Sequence, residues 1–289
     1  MGGEMAKHLN LISYFGGKYP HLTWLINQFP KGNYHFVDIM CGSANVGINV
    51  DYPLITINDL NKEVVNLFEV LRYNFDEFVR LIYFTPFSRG ELYNIIDDFN
   101  EPSDKIERAR RYFIRSQLGY GANGSQNNHK GAGFEYAIQK SNYYRVDGYN
   151  FKLHKLHEIA AKLRSMQIEQ KDVFELFEKV NKANNIVYFD PPYLMTTRTS
   201  GKRYHHEVTE DFHYKLAETV KSSKCFVAIS GYDSSLYDEL FMGFHKSMGP
   251  LRKSTVSKRA VNECLWTNYD PITINGALKL DFNQTGTGG

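Results

Sequence analysis

Four residues suited to chemistry follow directly on a short apolar run. Asp190, Pro191, Pro192 and Tyr193 end the segment NNIVYFDPPYL (184–194). Two successive prolines make a rigid elbow and leave the preceding carbonyl groups without local donors. Such an elbow would present the Asp190 carboxylate and the Pro191 carbonyl to one amino group, with the Tyr193 ring beside them. These groups suit a planar base with an exocyclic amine, which they would hold in line for methyl transfer.

The same four residues have an ordinary structural interpretation. An Asp-Pro turn commonly ends a buried strand, and a tyrosine can pack on the edge of the sheet. Because a short motif has a real false-positive rate, these residues alone leave both interpretations open.

Two further segments have the pattern of a nucleotide-binding sheet. In DIMCGSAN (38–45) a strand ends at Asp38, and the small residues Gly42 and Ser43 would let backbone approach a ligand. Asp59 ends the next strand about twenty residues later, where an acid commonly accepts hydrogen bonds from ribose hydroxyls. Helix capping near Asn61 is a competing role for Asp59, and capping is also the plain role for Asp172.

The segment FGGK (15–18) places Gly16 and Gly17 before Lys18. It lacks the spacing of a phosphate-binding P-loop and follows no clear strand, which argues against an ATPase. Taken alone, Lys18 reads as an exposed lysine.

Apolar runs alternate with segments of helical period, which predicts an α/β fold with a doubly wound, mostly parallel sheet. The predicted strands are 35–40, 54–58, 166–170, 185–190, 225–230 and 263–269. The predicted helices are 62–75, 103–117, 152–164 and 210–223, the last with Thr209 as N-cap.

The interval 76–150 breaks this alternation and is predicted to be an insertion. The catalytic domain would then comprise 1–75 and 151–283, and 284–289 would be a disordered tail. The predicted helix 103–117 carries four arginines, which cannot all face a core, so some should face solvent or a partner. They are Arg108, Arg110, Arg111 and Arg115.

Composition limits the function classes. The 289 residues have a net charge of +2, so any anionic partner must be met by local patches. Three widely spaced cysteines predict reduced thiols in a cytoplasmic protein, and no apolar run has the length of a signal peptide or membrane span. The adjacent His205 and His206 lack further ligands at suitable spacing, so no metal is expected.

Several blocks of the sequence resemble, in order, the Dam-type family of S-adenosylmethionine-dependent DNA adenine-N6 methyltransferases, particularly its phage and prophage forms. The blocks are SYFGGKYPHLTWLINQFP (13–30), FVDIMCGSANVGIN (36–49), INDLNKEVVNLFEVLR (57–72), QKDVFELF (170–177), DPPY (190–193), YHHEVTEDFHYKLAETV (204–220), AISGYDSSLYDELF (228–241) and NECLWTNY (262–269). The family usually has proline where Ile39 stands, and often glycine at Ala44.

The resemblance implies a Rossmann-like class I methyltransferase that binds S-adenosylmethionine and methylates a flipped-out adenine in duplex DNA. It implies that Asp190, Pro191, Pro192 and Tyr193 are catalytic. It assigns Tyr14, Gly16, Gly17, Lys18, Asp38, Gly42, Ser43, Asp59, Asp172 and Asp190 to the cofactor. In particular, Tyr14 and Lys18 would enclose the methyl donor and Asp172 would contact its adenine.

Basic and polar residues near the elbow and in the insertion predict a DNA-binding surface. The runs TRTSGKRYHH (197–206) and LRKSTVSKRA (251–260) could track phosphates, and GYGANGSQNN (119–128) could read base edges. The candidates are Arg115, Tyr120, Asn123, Arg198, Lys202, Arg203, Arg252, Lys253, Lys258 and Arg259. Solvated surface loops are the alternative for each residue taken singly.

These observations together predict a site-specific DNA adenine-N6 methyltransferase in a bacterial or phage-infected cell, with the insertion reading the target sequence. Methylation of RNA adenine or cytosine N4 is an alternative, because the elbow recognises an amine more than a whole base. A silent DNA-binding homologue is another. A monomer is favoured, but the sequence determines neither the oligomeric state nor the target site. It also does not determine whether the role is restriction-modification, phage protection or that of an orphan, regulatory enzyme.

Overall fold

A computed structural model describes residues 8–14, 16–98, 102–119, 133–134, 144–193, 208–250, 252–253 and 260–275. Its strands are β1 (His35–Asp38), β2 (Leu54–Asn58), β3 (Gln167–Glu169), β4 (Asn185–Phe189), β5 (Phe226–Tyr232), β6 (His245–Met248), β7 (Arg252–Lys253), β8 (Ala260–Val261) and β9 (Glu263–Thr267). Its helices are α1 (Leu22–Ile26), α2 (Lys62–Tyr73), α3 (Phe75–Tyr83), α4 (Arg89–Asp97), α5 (Lys105–Leu118), α6 (Tyr144–Arg164), α7 (Val173–Val180), α8 (Glu210–Lys221) and α9 (Ser235–Leu240).

Seven strands form one sheet in the order β3-β2-β1-β4-β5-β9-β6. The first five are parallel, whereas β9 is antiparallel to both β5 and β6. The chain runs outward from β1 to β3, then returns to the other side of β1 with β4. Strand order therefore reverses between β1 and β4, the point at which open α/β sheets hold their ligands. The predicted Rossmann-like, mostly parallel sheet is confirmed.

Alternating residues of the central strands feed two hydrophobic cores, one on each face of the sheet. In β4, Ile186 and Tyr188 belong to the core that includes α2, α5 and α6. Val187 and Phe189 belong to the core beneath α7, α8 and α9. Because both faces are covered by helices, every residue of β4 is buried.

Local signals set several helix starts. Asn61 accepts a hydrogen bond from the backbone N–H of Glu63 at the start of α2, and Asp104 caps α5 in the same way. Thr209 is the N-cap residue of α8, as predicted, although its side chain makes no capping hydrogen bond.

The predicted division at residues 75 and 150 is not marked by separate cores. Phe78 of α3 and Phe113 of α5 lie in the same core as Phe68 of α2. The helix predicted to begin at residue 152 begins instead at Tyr144, so the predicted boundary at 150 falls inside α6. The predicted insertion thus shares a helical layer with the sheet domain.

Among the described residues, no helix combines the length and the apolar character needed to cross a membrane. All three cysteines are buried free thiols; Cys225 and Cys264 belong to the core beneath α7 to α9.

Candidate active site

A cavity of about 280 Å³ opens at the carboxyl ends of β1, β2 and β4. Its volume is close to the lower end of the roughly 300–1,000 Å³ typical of small-molecule sites. The predicted cofactor residues that line it are Tyr14, Gly16, Gly17, Lys18, Asp38, Gly42, Ser43, Asp59, Asp172 and Asp190. The fold therefore brings all ten of them to one place, together with Pro192 from the elbow.

The turn after β1 depends on its small residues. Gly42 has φ +49°, and a Cβ atom there would lie 2.9 Å from the Tyr14 ring. Ala44 also has a left-handed backbone, with φ +53°, which costs an alanine roughly 1–2 kcal/mol. The left-handed backbone at Ala44 is one that glycine adopts without this cost.

Asp59 fixes this turn from the neighbouring strand. Its Oδ2 accepts a hydrogen bond of 2.8 Å from the Gly42 N–H, and its Oδ1 accepts one of 2.8 Å from the Asn61 N–H. The helix cap itself is Asn61. Asp59 thus ties the β1 turn to the start of α2 at the wall of the cavity.

Asp172 combines the two roles considered from the sequence. It caps α7 by accepting hydrogen bonds from the backbone N–H groups of Phe174 and Glu175, and it also lines the cavity. Val173 and Phe174 beside it, with Phe212 of α8, supply an apolar wall.

Two buried oxygens in the cavity wall have no hydrogen-bond partner among the described residues. They are Asp38 Oδ1 and Asn45 Oδ1, on side chains that are almost wholly buried. The other Asp38 oxygen accepts a hydrogen bond of 3.0 Å from the Gly47 N–H. Burial is the main reason that the Asp38 pKa rises to about 8. Buried acceptors of this kind suit a cationic or amine-bearing ligand.

Asp190, the first residue of the elbow, is held through one of its two carboxylate oxygens. Its Oδ1 lies 2.6 Å from Lys18 Nζ and accepts a hydrogen bond of 2.8 Å from Ser230 Oγ. Ser230 is in turn 2.9 Å from the Tyr188 hydroxyl. Within the described part of the chain, no donor contacts Asp190 Oδ2, and one fifth of the side chain remains exposed. The carboxylate is thereby oriented with one oxygen available to a substrate.

Lys18 is not the exposed lysine that its local sequence suggests. It is only 4% exposed, lines the cavity and donates a hydrogen bond of 3.1 Å to the Gly16 carbonyl. Its Nζ lies between Asp190 and Glu263, 3.7 Å from Glu263 Oε1.

Tyr193 lies behind the cavity. Its ring is buried edge-on against Tyr232 at 4.3 Å between centroids, and its hydroxyl donates a hydrogen bond to Glu263. Lys18 Nζ lies 4.8 Å from the centre of the ring. These contacts hold Tyr193 in place, so the tyrosine stabilises the elbow.

Two polar residues of this site, Ser230 and Glu263, were not selected from the sequence. Both sit in blocks used for the resemblance, and the available signal was a polar side chain within an otherwise apolar strand. Ser230 is fully buried near the end of β5, and Glu263 is 5% exposed at the start of β9. Burial of an acid requires partners, which only the fold reveals.

Three arginines of α5 form ion pairs within the protein. Arg108 pairs with Glu63, Arg110 with Glu91 and Glu107, and Arg111 with Glu107 and Asp98. All three side chains are also partly exposed to solvent, so the expectation that some arginines of this helix face solvent or a partner stays a prediction as regards a partner.

The predicted DNA-binding residues are only partly covered by the structure. Arg115 is partly buried on α5, and Arg252 and Lys253 form β7 of a two-stranded hairpin with β8. The other candidates lie outside the described residues: Tyr120, Asn123, Arg198, Lys202, Arg203, Lys258 and Arg259. Their roles stay predictions.

No group of three or more His, Cys, Asp or Glu side chains is arranged to hold a metal ion in the described ranges. The predicted histidine pair at 205 and 206 lies outside them.

The chain is similar in sequence to known DNA adenine methyltransferases. A family model described as "D12 class N6 adenine-specific DNA methyltransferase" matches residues 14–250. The DNA adenine methylase of Salmonella typhi is 25% identical over 95% of this chain and 100% of its own length. The DNA adenine methylase of Escherichia coli K12 is 24% identical with the same coverage.

A solved S-adenosylmethionine-dependent methyltransferase from Agrobacterium tumefaciens is also similar. It aligns with 88% of this chain and 62% of its own, at 11% identity and a TM-score of 0.35. The assignment follows from the sequence match, which spans most of the chain including the β1 turn, the elbow and most of the sheet. The chain belongs to the D12 class of N6 adenine-specific DNA methyltransferases.

Proposed function

We propose that the cavity binds S-adenosylmethionine and that Asp190 receives the N6 amine of the target adenine at its edge. Family membership shows that the chain is an S-adenosylmethionine-dependent DNA adenine methyltransferase. The proposal concerns which residues bind the cofactor and the adenine amine. The proposal rests on the way in which the Asp190 carboxylate is held. Lys18 and Ser230 hold Oδ1, while Oδ2 has no donor among the described residues.

The cavity residues fit the cofactor in charge and shape. Asp38 Oδ1 and Asn45 Oδ1 are buried acceptors without partners in the described part of the chain, which suits the ammonium group of the methionine portion. The wall made by Val173, Phe174 and Phe212 suits an adenine ring. The closeness of Gly42 to the Tyr14 ring leaves no space for a side chain at that turn.

Bound there, S-adenosylmethionine supplies an electrophilic methyl group. The chain supplies the orientation. Asp190 Oδ2 accepts one hydrogen bond from the adenine amine, and the Pro191 carbonyl accepts another. These bonds draw the nitrogen lone pair out of the ring, so that the nitrogen becomes a better nucleophile. Asp190 can then take up the proton that the methylated amine releases.

The target adenine has to leave a duplex to reach this buried edge, so we propose base flipping. Tyr193 contributes by holding the elbow from behind. The predicted insertion is proposed to read flanking bases, and the basic runs on either side of the elbow to track phosphates. The substrate DNA places this activity in the cytoplasm of a bacterial or phage-infected cell. We propose a monomer as the active form.

The test is to incubate the protein with S-adenosylmethionine and unmethylated genomic DNA, digest to nucleosides and quantify methylated bases by mass spectrometry. Parallel reactions contain duplex DNA, single strands or RNA, and a control omits the cofactor. N6-methyladenine in duplex DNA is the expected product. Methylation confined to RNA or to cytosine, or no methylated base from folded protein, would contradict the proposal.

Cofactor binding at pH 7 should release up to about one proton, because a cation beside Asp38 lowers its raised pKa of about 8. The sign follows from Asp38 being mostly protonated at pH 7 before binding and ionised afterwards. Titration calorimetry in buffers of different ionisation enthalpy measures the release. Asp38→Asn should bind more weakly and without it. Equal apparent enthalpies in both buffers for the wild type would contradict this role of Asp38.

A further inference from the structure

Glu263 is a buried acid beside the elbow that neither the family match nor the proposed reaction uses. It begins β9 and stands opposite Tyr232 in the antiparallel pairing of β5 with β9. Its side chain is about 95% buried. Burying a carboxylate to this degree has a large desolvation cost. Partners that pair with it or donate hydrogen bonds to it must offset that cost.

The partners of Glu263 are the residues that hold the elbow. Its Oε1 accepts a hydrogen bond from the Tyr193 hydroxyl and lies 3.7 Å from Lys18 Nζ. The same Lys18 Nζ lies 2.6 Å from Asp190 Oδ1. One ammonium group is therefore shared by two carboxylates, one on each side, with the Tyr193 ring beneath it.

We propose that Glu263 is a positioning residue for methyl transfer, which acts through Lys18 and Tyr193 to fix the direction and the charge of Asp190. This role rests on the proposed function of Asp190. When Glu263 is ionised, its charge offsets that of Lys18, so Asp190 keeps its full strength as an acceptor for the adenine amine. When Glu263 is protonated, it no longer offsets the charge of Lys18, and the stronger pull of Lys18 on Asp190 weakens it as an acceptor.

The ionisation state of Glu263 is balanced near neutrality. Burial raises its pKa to about 7, with Lys18 and the Tyr193 hydroxyl acting to lower it and Asp190 to raise it further. In the described part of the chain, the other ionisable groups near Glu263 include Tyr232, which pairs with it between β5 and β9, and Cys264, whose raised pKa has the charge of Glu263 as one cause. The charge of Glu263 also helps to raise the pKa of Tyr188 in β4 and Tyr237 in α9. Since burial is the main reason that both of these tyrosines stay protonated, Glu263, Lys18 and Asp190 share the charge of the cluster.

Glu263→Gln tests this role because it keeps the size of the side chain and a hydrogen-bond acceptor but removes the charge. Single-turnover methyl transfer is measured with saturating S-adenosylmethionine and duplex DNA between pH 5.5 and 9. Saturation removes the contribution of cofactor binding, including that of Asp38. The wild-type rate should rise with pH through about 7. The variant should lose that rise, be at least tenfold slower at pH 8, and bind the cofactor within about threefold of the wild type.

Two further variants keep the test decisive. Tyr193→Phe removes one donor to Glu263, so the midpoint of the pH-rate curve should move upward; an unmoved midpoint counts against the proposal. Glu263→Asp keeps the charge and should restore part of the pH dependence. Glu239→Gln, an exposed position on α9, is the matched control and should behave as the wild type.

The outcomes separate this proposal from the function on which it rests. If the wild type makes no N6-methyladenine, the proposed function itself fails. If the wild type is active and Glu263→Gln has an unchanged rate and pH profile, only the role of Glu263 is overturned.

Discussion

Replacement of Asp190 by alanine should reduce single-turnover methyl transfer by about a thousandfold or more and leave the fold intact. The carboxylate is the acceptor proposed to orient the adenine amine, and the loss of such a group typically costs between a hundredfold and ten-thousandfold in rate. The fold should survive because the side chain lies at the cavity mouth, one fifth exposed, outside both hydrophobic cores. The measurement is N6-methyladenine formed per enzyme under single-turnover conditions.

Asp190→Asn refines the result. It keeps the shape and one oxygen but replaces a carboxylate oxygen with an amide donor, so it should also be inactive. Asp51→Asn, an exposed position just before β2, is the control and should retain full activity. Near-normal turnover by Asp190→Ala would contradict the proposed mechanism, provided that circular dichroism shows a wild-type spectrum.

Replacement of Lys18 by methionine should impair both stability and catalysis. The ammonium is 4% exposed between Asp190 and Glu263, so its removal takes from both acids the cation that pairs with them among the described residues. Breaking a buried pair in this way typically costs about 3–5 kcal/mol of unfolding free energy. We also expect methyl transfer to fall at least a hundredfold, because Asp190 loses the group that orients its Oδ1.

The loss of stability caused by Lys18→Met should depend on pH. Lys18 acts to lower the raised pKa of Glu263, so without Lys18 that pKa rises further and the destabilising charge of Glu263 develops as the pH increases. The stability deficit of Lys18→Met should therefore be larger at pH 8 than at pH 5, which denaturant unfolding at both values measures. Lys221→Met removes a lysine from an exposed ion pair on α8 and should change neither stability nor rate. Wild-type stability of Lys18→Met at pH 8 would show that the pair is not essential.

The structure changes the role that the sequence suggests for Tyr193. From the sequence, Tyr193 is a flat ring offered to the substrate base. In the structure its ring is buried against Tyr232, and its hydroxyl is bonded to Glu263. We therefore propose that Asp190 and the Pro191 carbonyl make the direct contact to the amine and that Tyr193 supports them. A stacking contribution to base flipping stays a prediction.

The sequence alone determined six of the nine described strands, the elbow and the reaction class. Strand β2 was predicted at its observed bounds, and Asp38, Asp59, Asp172 and Asp190, which the sequence assigned to the cofactor, line one cavity. These predictions succeeded because their signals are local. Apolar runs bounded by turn residues mark parallel strands, and acids at the carboxyl ends of such strands must meet at one edge of the sheet. The order of the motifs identified the family, which the family match confirmed.

The tertiary structure alone decided how these acids are balanced. Glu263 follows Asp190 by 73 residues, yet it reaches the elbow because β9 inserts antiparallel between β5 and β6. Strand order of this kind leaves no periodic trace in a sequence, and neither does the burial of Lys18. The arginines of α5 illustrate the same limit, since three of them are neutralised by acids from neighbouring segments. A charged residue's role depends on which elements enclose it, and that is determined by packing.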